Sequence, residues 1–368
     1  MAGRPSFFKK AMITLNVLVI LPYLVTCLTP YINTSQYWAL AFPGLIFPLL
    51  LLVLAGFTLF WLFAGSRWWL ISGLVLLLGF QQIRACVAFH LKQPFSLKRK
   101  DHTLRVLQWN LEGWGNYLDH HDSTNFSLMK QVIARQDADV LCLEEYMDFL
   151  YPRFNQPVMH GLEALGYRYF YVVPSEYYAD DYESGVAIFS RYPIIDSAQY
   201  QLDTSPYSEH VAYIDIRVPG DTIRVFATHL ESVHFHRQEY QSLSEMKHGR
   251  GEGLQDSRTI VSKLKKGYIS RHRQAVMVRG LLDKSPYATL ICGDFNDVPN
   301  SSTYFEIRGN YRDAFLEKGS LFGRTFRFIS PTLRIDYILA DPRFTIEQFQ
   351  RLKVTYSDHY AIEADLGY

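Results

Sequence analysis

Residues Thr289 to Asp297 read TLICGDFND. A short run able to form a buried strand leads into Gly293, Asp294, Phe295, Asn296 and Asp297, so carboxylates and a carboxamide fall at the exit of a strand. In a parallel or mixed α/β fold, that is where ligands and chemistry collect. Gly and Asp clusters also make ordinary turns, and this string alone does not separate the two readings. Similar junctions elsewhere do. Strand-like runs end at Asn110 (VLQWNLE), at Glu144 and Glu145 (DVLCLEE) and at His229 (IRVFATHLE), while Asp336 lies in LRIDYIL and Asp358 and His359 in SDHYAI. Oxygen donors and imidazoles that track strand ends point to one site assembled from several strands.

The first hundred residues are a different material. They carry nine Lys and Arg and no Asp or Glu, which leaves residues 101–368 with a formal charge of minus eight. A basic apolar arm joined to an acidic domain suggests a membrane before it suggests nucleic acid. Three stretches, 11–30, 39–63 and 68–89, are apolar enough to predict three membrane spans, since a bilayer core takes about 20 helical residues. A cleaved signal peptide explains only the first of them. Trp38, Trp61, Trp68 and Trp69 fall near the predicted span ends, and Pro43 and Pro48 mark a place for a kink. The expected organisation is a three-span region over 1–92, a short linker over 93–101 and a catalytic domain over 102–368. Basic residues divide almost evenly between the two sides, so the compact first loop and basic amino terminus carry the expectation of an extracytoplasmic catalytic domain in a multi-pass integral membrane protein.

Within the catalytic domain, 103–108, 139–143, 169–173 and 185–189 read as strands, and 126–136 as a helix. Residues 212–218 and 222–227 read as a hairpin closed through Pro219, Gly220 and Asp221. Hard ligands such as Glu145 and Asn110 suit magnesium, with manganese as a substitute, and no thiolate or multiple-His spacing specifies zinc. His229 either bonds a phosphoryl oxygen or caps the sheet. Arg191, after the strand SGVAIFS, either stabilises phosphate or supports packing. Four scattered cysteines give no disulfide framework. GRGEG at 249–253 lacks the arrangement of a phosphate-binding loop, and His234, His236, His248 and His272 do not specify a ligand set.

Taken together, WN at 109–110, LEE at 143–145, SGVAIFSR at 184–191, THL at 228–230, GDFND at 293–297, RIDYIL at 334–339 and SDH at 357–359 resemble, in order, the motifs of the endonuclease/exonuclease/phosphatase superfamily. The resemblance implies a four-layer α/β sandwich of two mixed sheets flanked by helices, and divalent-metal-dependent phosphoester hydrolysis. It implies Glu145 as a metal ligand with Asn110 and Asp358 near the metal or phosphate, Asp294 and Asn296 orienting the attacking water, Asp336 paired with His359, His229 on phosphate and Glu112 supporting from behind. The general base stays open between His359 and Asp294. Superfamily members usually have LQE where this chain has LEE, so Glu144 adds a negative charge. With a membrane arm and an acidic domain, the expected substrate is a phospholipid or sphingolipid headgroup; the alternative is an extracytoplasmic nuclease acting on nucleic acid. A nonenzymatic membrane scaffold is a third reading, and it predicts no metal-stimulated hydrolysis.

Overall fold

A computed structural model describes residues 6–91, 93–115, 123–149, 158–178, 182–204, 208–233 and 253–368. Alternation of side chains along the strands builds the catalytic domain. In β2 (Thr103–Asn110), Leu104 and Val106 point one way while Leu107 and Trp109 point the other, and all eight residues are buried. A strand covered on both faces needs a partner layer on each side.

The sheet containing β2 has the order β13-β14-β2-β3-β5-β4, with β3 (Val140–Phe149), β4 (Tyr169–Tyr178), β5 (Tyr182–Ser190), β13 (Thr345–Arg351) and β14 (Ile362–Gly367). The second sheet has the order β10-β12-β9-β8-β7-β6, from β6 (Ile194–Gln201), β7 (His210–Val218), β8 (Asp221–His229), β9 (Ala288–Asp294), β10 (Arg312–Asp313) and β12 (Asp336–Ala340). β7 and β8 form the expected hairpin. Each sheet holds one parallel pair at its centre, β2 with β3 and β8 with β9, and is otherwise antiparallel.

Val106, Cys142, Val225, Leu290 and Ile338 fill the space between the sheets. Leu107, Trp109 and Leu141 pack outward on the helix Ser123–Gln136 through Met129 and Ile133. Phe226, Ile291 and Tyr337 pack outward on the helix Gly253–Leu282 through Ala275 and Val278. The result is the expected four-layer sandwich. That long helix runs unbroken for 30 residues. His234, His236 and His248 lie outside the described residues.

The apolar arm differs from the expectation of three spans. Among the described residues, only α1 (Phe7–Cys27), continued by a short 3₁₀ turn to Tyr31, is a continuous stretch long and apolar enough to cross a bilayer, with mean hydropathy 2.2. The second stretch is broken between α2 (Phe42–Leu45) and α3 (Phe47–Phe63), with a bend of 62°. The third is broken between α4 (Trp68–Leu78) and α5 (Phe80–Cys86), with a bend of 60°. Pro48 explains the first break: its ring has no N–H to give and would strike the carbonyl of Gly44 in a continuous helix. At the second, Gly79 lies against the Tyr23 ring, where any side chain would collide.

The arm is seated on the catalytic domain. Thr34 Oγ1 and Ser302 Oγ lie 2.6 Å apart, Phe42 meets Tyr268 edge-on, and Arg334 Nη2 donates to Ala85 O at 2.8 Å. Gly44 runs so close to the Asn300 carbonyl that a Cβ there would collide with it. β1 (Ala88–Phe89) pairs with β11 (Ser320–Leu321). The 93–101 segment is no free tether: Phe95 lies under Arg105, Arg99 pairs with Asp139, and Lys100 pairs with Glu347.

Candidate active site

The inward-facing residues of the five central strands end in polar groups at one end of the sandwich. After Val106 and Gln108 comes Asn110; after Val140 and Cys142, Glu144; after Val225 and Ala227, His229; after Leu290 and Cys292, Asp294; and Asp336 precedes Ile338. Their registers put Asn110 opposite Glu144, His229 opposite Asp294, and Asp336 opposite Asp294. The same alternation that fills the core therefore places its last layer as a polar cluster.

Glu145 escapes this alternation through a bulge. Pairing of β3 with β5 shifts between Leu143 and Tyr146, and Glu145 adopts φ 47°. Glu112 and Asn296 also sit in the left-handed region, at φ 48° and 51°. Such non-glycine conformations cost about 1–3 kcal/mol each and gather where the surrounding structure imposes a function.

Asp294 occupies the centre. Its Oδ2 accepts from Asn110 Nδ2 at 3.2 Å and lies 3.6 Å from His359 Nε2 and 3.8 Å from His229 Nε2. His359 turns Nδ1 to Asp336, 2.9 and 3.1 Å from its two oxygens, and leaves Nε2 facing Asp294 and Asp358. Burial opposes protonation of His359, but the charges of Asp336, Asp294 and Asp358 outweigh it and hold its pKa well above that of an ordinary imidazole. Burial and the Asp336 charge push Asp294 up to about 6.

At His229, burial again works against the charged ring, and Glu209, 3.1 Å from Nδ1, leads the charges that raise its pKa. Asn296 Nδ2, which donates to Leu230 O at 2.9 Å, lies 3.0 Å from His229 Nε2. Glu112 Oε2 accepts from the Asp358 backbone N–H at 2.8 Å. Burial and the Asp358 charge push Glu112 up to about 8.

All but one of the sequence-predicted site residues converge here. The exception is Arg191, which lies at the opposite end of the sheet beside the start of β3. There it pairs with Asp137 and lies over the Tyr167 ring, so it supports packing and does not reach phosphate. Asn110 is present in an orientation other than the one expected of a ligand. Its Oδ1 accepts from Glu112 N at 3.0 Å, which directs Nδ2 toward Glu145 at 2.9 Å and toward Asp294. In this arrangement its amide N–H groups face the two carboxylates.

Sequence reasoning missed three contributors. Gln108 bridges Glu144 and Asp336, at 2.7 and 3.0 Å, and its alternation with Asn110 was the available signal. Glu209 precedes a strand in a stretch with no distinguishing pattern. Ser357 accepts from His359 N and donates to Asn110 O, which fixes the SDH loop. Glu144 is wholly buried, and burial raises its pKa well above that of an ordinary carboxyl.

The donor set fits a hard divalent cation. Ligand atoms of Asp294, Asp336 and His359 lie within 4.8 Å of one another, with Glu145 and Asp358 alongside and no thiolate in the set. Burial and neighbouring carboxylate charges raise the pKa of Glu112, Asp294 and Asp358, and a cation among them would favour their ionised forms.

Comparison with known proteins agrees. The chain resembles an endonuclease/exonuclease/phosphatase from Beutenbergia cavernae (20% identity over 72% of each chain, TM-score 0.50). A family protein from Bacteroides thetaiotaomicron is similar at 17% identity, over 73% of this chain and 98% of that one, TM-score 0.52. The human Nocturnin catalytic domain is similar at 16% identity, over 73% and 96%, TM-score 0.50. At these identities the likeness establishes the fold alone. No curated protein matches the sequence. Residues 9–86 match a domain of unknown function, DUF8431. The Endonuclease/Exonuclease/phosphatase family profile matches residues 107–359, more than half of the chain. The chain therefore belongs to the endonuclease/exonuclease/phosphatase family and is a metal-dependent hydrolase.

Proposed function

We propose that the protein is a membrane-attached, magnesium- or manganese-dependent phosphoester hydrolase with its catalytic domain on the extracytoplasmic side. The observation that supports this most is the convergence of Glu145, Asp294, Asp336, Asp358 and His359 at facing strand ends. In this reading Glu145 and Asp358 hold the cation, which when bound offsets the negative charge growing on the phosphoryl group. Asp294, its pKa raised to about 6 by burial and the Asp336 charge, accepts the proton of the attacking water. His359, kept charged by Asp336, donates from Nε2 to the phosphoryl group, and His229 and Asn296 align the same group from the other side. Asn110 and Glu112 position the carboxylates. The organisation into an apolar arm over 1–92 and a catalytic domain over 102–368 belongs to the same proposal, as does passage of the two bent pairs through the bilayer, each as one broken span.

Two substrate classes have support. The family description covers nuclease and phosphatase chemistry, which favours the nuclease alternative over a lipid. A cleft of about 730 Å³ beside the 93–101 segment, with Lys318, Arg324, Arg351 and Lys353 in its lining, gives that alternative a surface for a polyanion. The lipid headgroup reading has the apolar wall described below. A panel of phospholipids, sphingolipids, soluble phosphomonoesters and single- and double-stranded nucleic acids, each with magnesium and with chelator, tests both. Chelator-sensitive hydrolysis of at least one class is expected. None would reject the hydrolase assignment.

A further inference from the structure

The catalytic groups open into a cavity of about 380 Å³ whose two halves differ in character. One half is the cluster just described, with Glu145, Asp294, Asn296, Asp358 and His359. The other is apolar: Leu45, Ile46 and Leu49 from the α2–α3 break, Leu264 from the long helix, and Ile329 and Leu333 from the loop before β12. Leu45, Ile46, Leu49 and Ile329 are between 38% and 60% exposed, a large apolar surface left uncovered beside a charged one. It exists because the second apolar stretch bends by 62° at Ile46 and because Gly44 lets that bend sit against Asn300. A hydrophobic arm that served only as a tether would have no reason to form one wall of the reaction cavity.

We propose that this apolar half is a subsite for the hydrocarbon portion of an amphiphilic phosphoester, so that a membrane lipid places its chain along the α2–α3 break while its phosphate meets Glu145 and His359. The proposal rests on the phosphoester hydrolase reading and narrows it to one substrate class. Continuity with the catalytic groups favours it over a polynucleotide in the basic cleft, since the two cavities share no lining residue. Bending the helix at the cavity gives a chain a route in from the bilayer side without leaving apolar surroundings.

The test uses the full chain in nanodiscs with magnesium and two probe series that stay monomeric in water. Alkylphosphonates from methyl to hexyl report binding, and p-nitrophenyl alkyl phosphodiesters of the same chain lengths report hydrolysis. Each methylene buried is expected to raise affinity and kcat/KM by up to roughly fourfold. Leu49→Ser and Ile329→Ser, both at exposed positions, should flatten that chain-length slope while leaving hydrolysis of the methyl ester unchanged. Hydrolysis of the methyl ester with no gain along either series, or an oligonucleotide cleaved in preference to every amphiphile, overturns the subsite but leaves the hydrolase reading standing. If no member of the panel is hydrolysed, both fall.

Discussion

Raising the pH should tighten divalent-cation binding, and Glu112 sets the scale of the effect. Its carboxyl, pushed from 4.5 to about 8 by burial and by Asp358, is mostly protonated at neutral pH in the metal-free protein. A cation held by Glu145 and Asp358 interacts best with Glu112 ionised, so binding must release that proton. The release costs about 1.4 kcal/mol at pH 7 and about 2.7 kcal/mol at pH 6, and apparent Mg²⁺ affinity should rise roughly tenfold per pH unit until it levels off near pH 8. The sign for stability follows. A carboxyl whose folded-state pKa is raised stabilises the metal-free fold fully only below its unfolded value, and that contribution is lost as pH climbs from 4.5 to about 8. Magnesium should therefore raise Tm by an amount that grows across the same window. Calorimetric titrations in buffers of different ionisation heat count the released protons directly. Glu112→Gln should abolish most of the slope. An affinity that is flat between pH 6 and 8 in the native chain would refute the reasoning.

Glu145→Gln should lower metal affinity or metal-dependent turnover by about 10–100-fold or more, read by titration and kinetics together. His359→Ala should cost about 10²–10⁴ in turnover while metal binding persists, and loss of binding instead would move His359 into the ligand set. Asp313→Ala should destabilise the fold by about 3–5 kcal/mol in denaturant unfolding, because it strands the buried Arg334, 2.7 Å away, which also holds Ala85 O. Reporters before Met1 and after Tyr368 should map to opposite sides of the membrane if each bent pair crosses as one span; matching compartments would reject that topology.

Strand ends were legible because alternation and burial are local properties of sequence. TLICGD and VLQWN each read as a buried run with a polar terminus, and that is how β9 and β2 sit at the centres of their sheets. Other features depend on what lies across space. Sequence left Arg191 open between phosphate and packing, and pairing decides where it lies by sending Ser190 to the far end beside Val140. The orientation of Asn110 is set by the Glu112 amide, and the raised pKa of Glu144 by complete burial, neither of which a motif encodes. Pro43 and Pro48 signalled a kink in the apolar arm. That the bend faces the reaction cavity is a consequence of tertiary packing.

β2 is flanked by β3, which follows it closely, and by β14, which lies almost the whole catalytic domain away in sequence. Synthesis therefore leaves one edge of the first sheet open until β14 has been made. His359, just ahead of β14, reaches Asp336 only when that edge closes. The apolar arm, at the start of the chain, is therefore complete long before the hydrolase can act. Non-local pairing of this kind makes folding slow, and the exposed edge is the stage most open to misassembly.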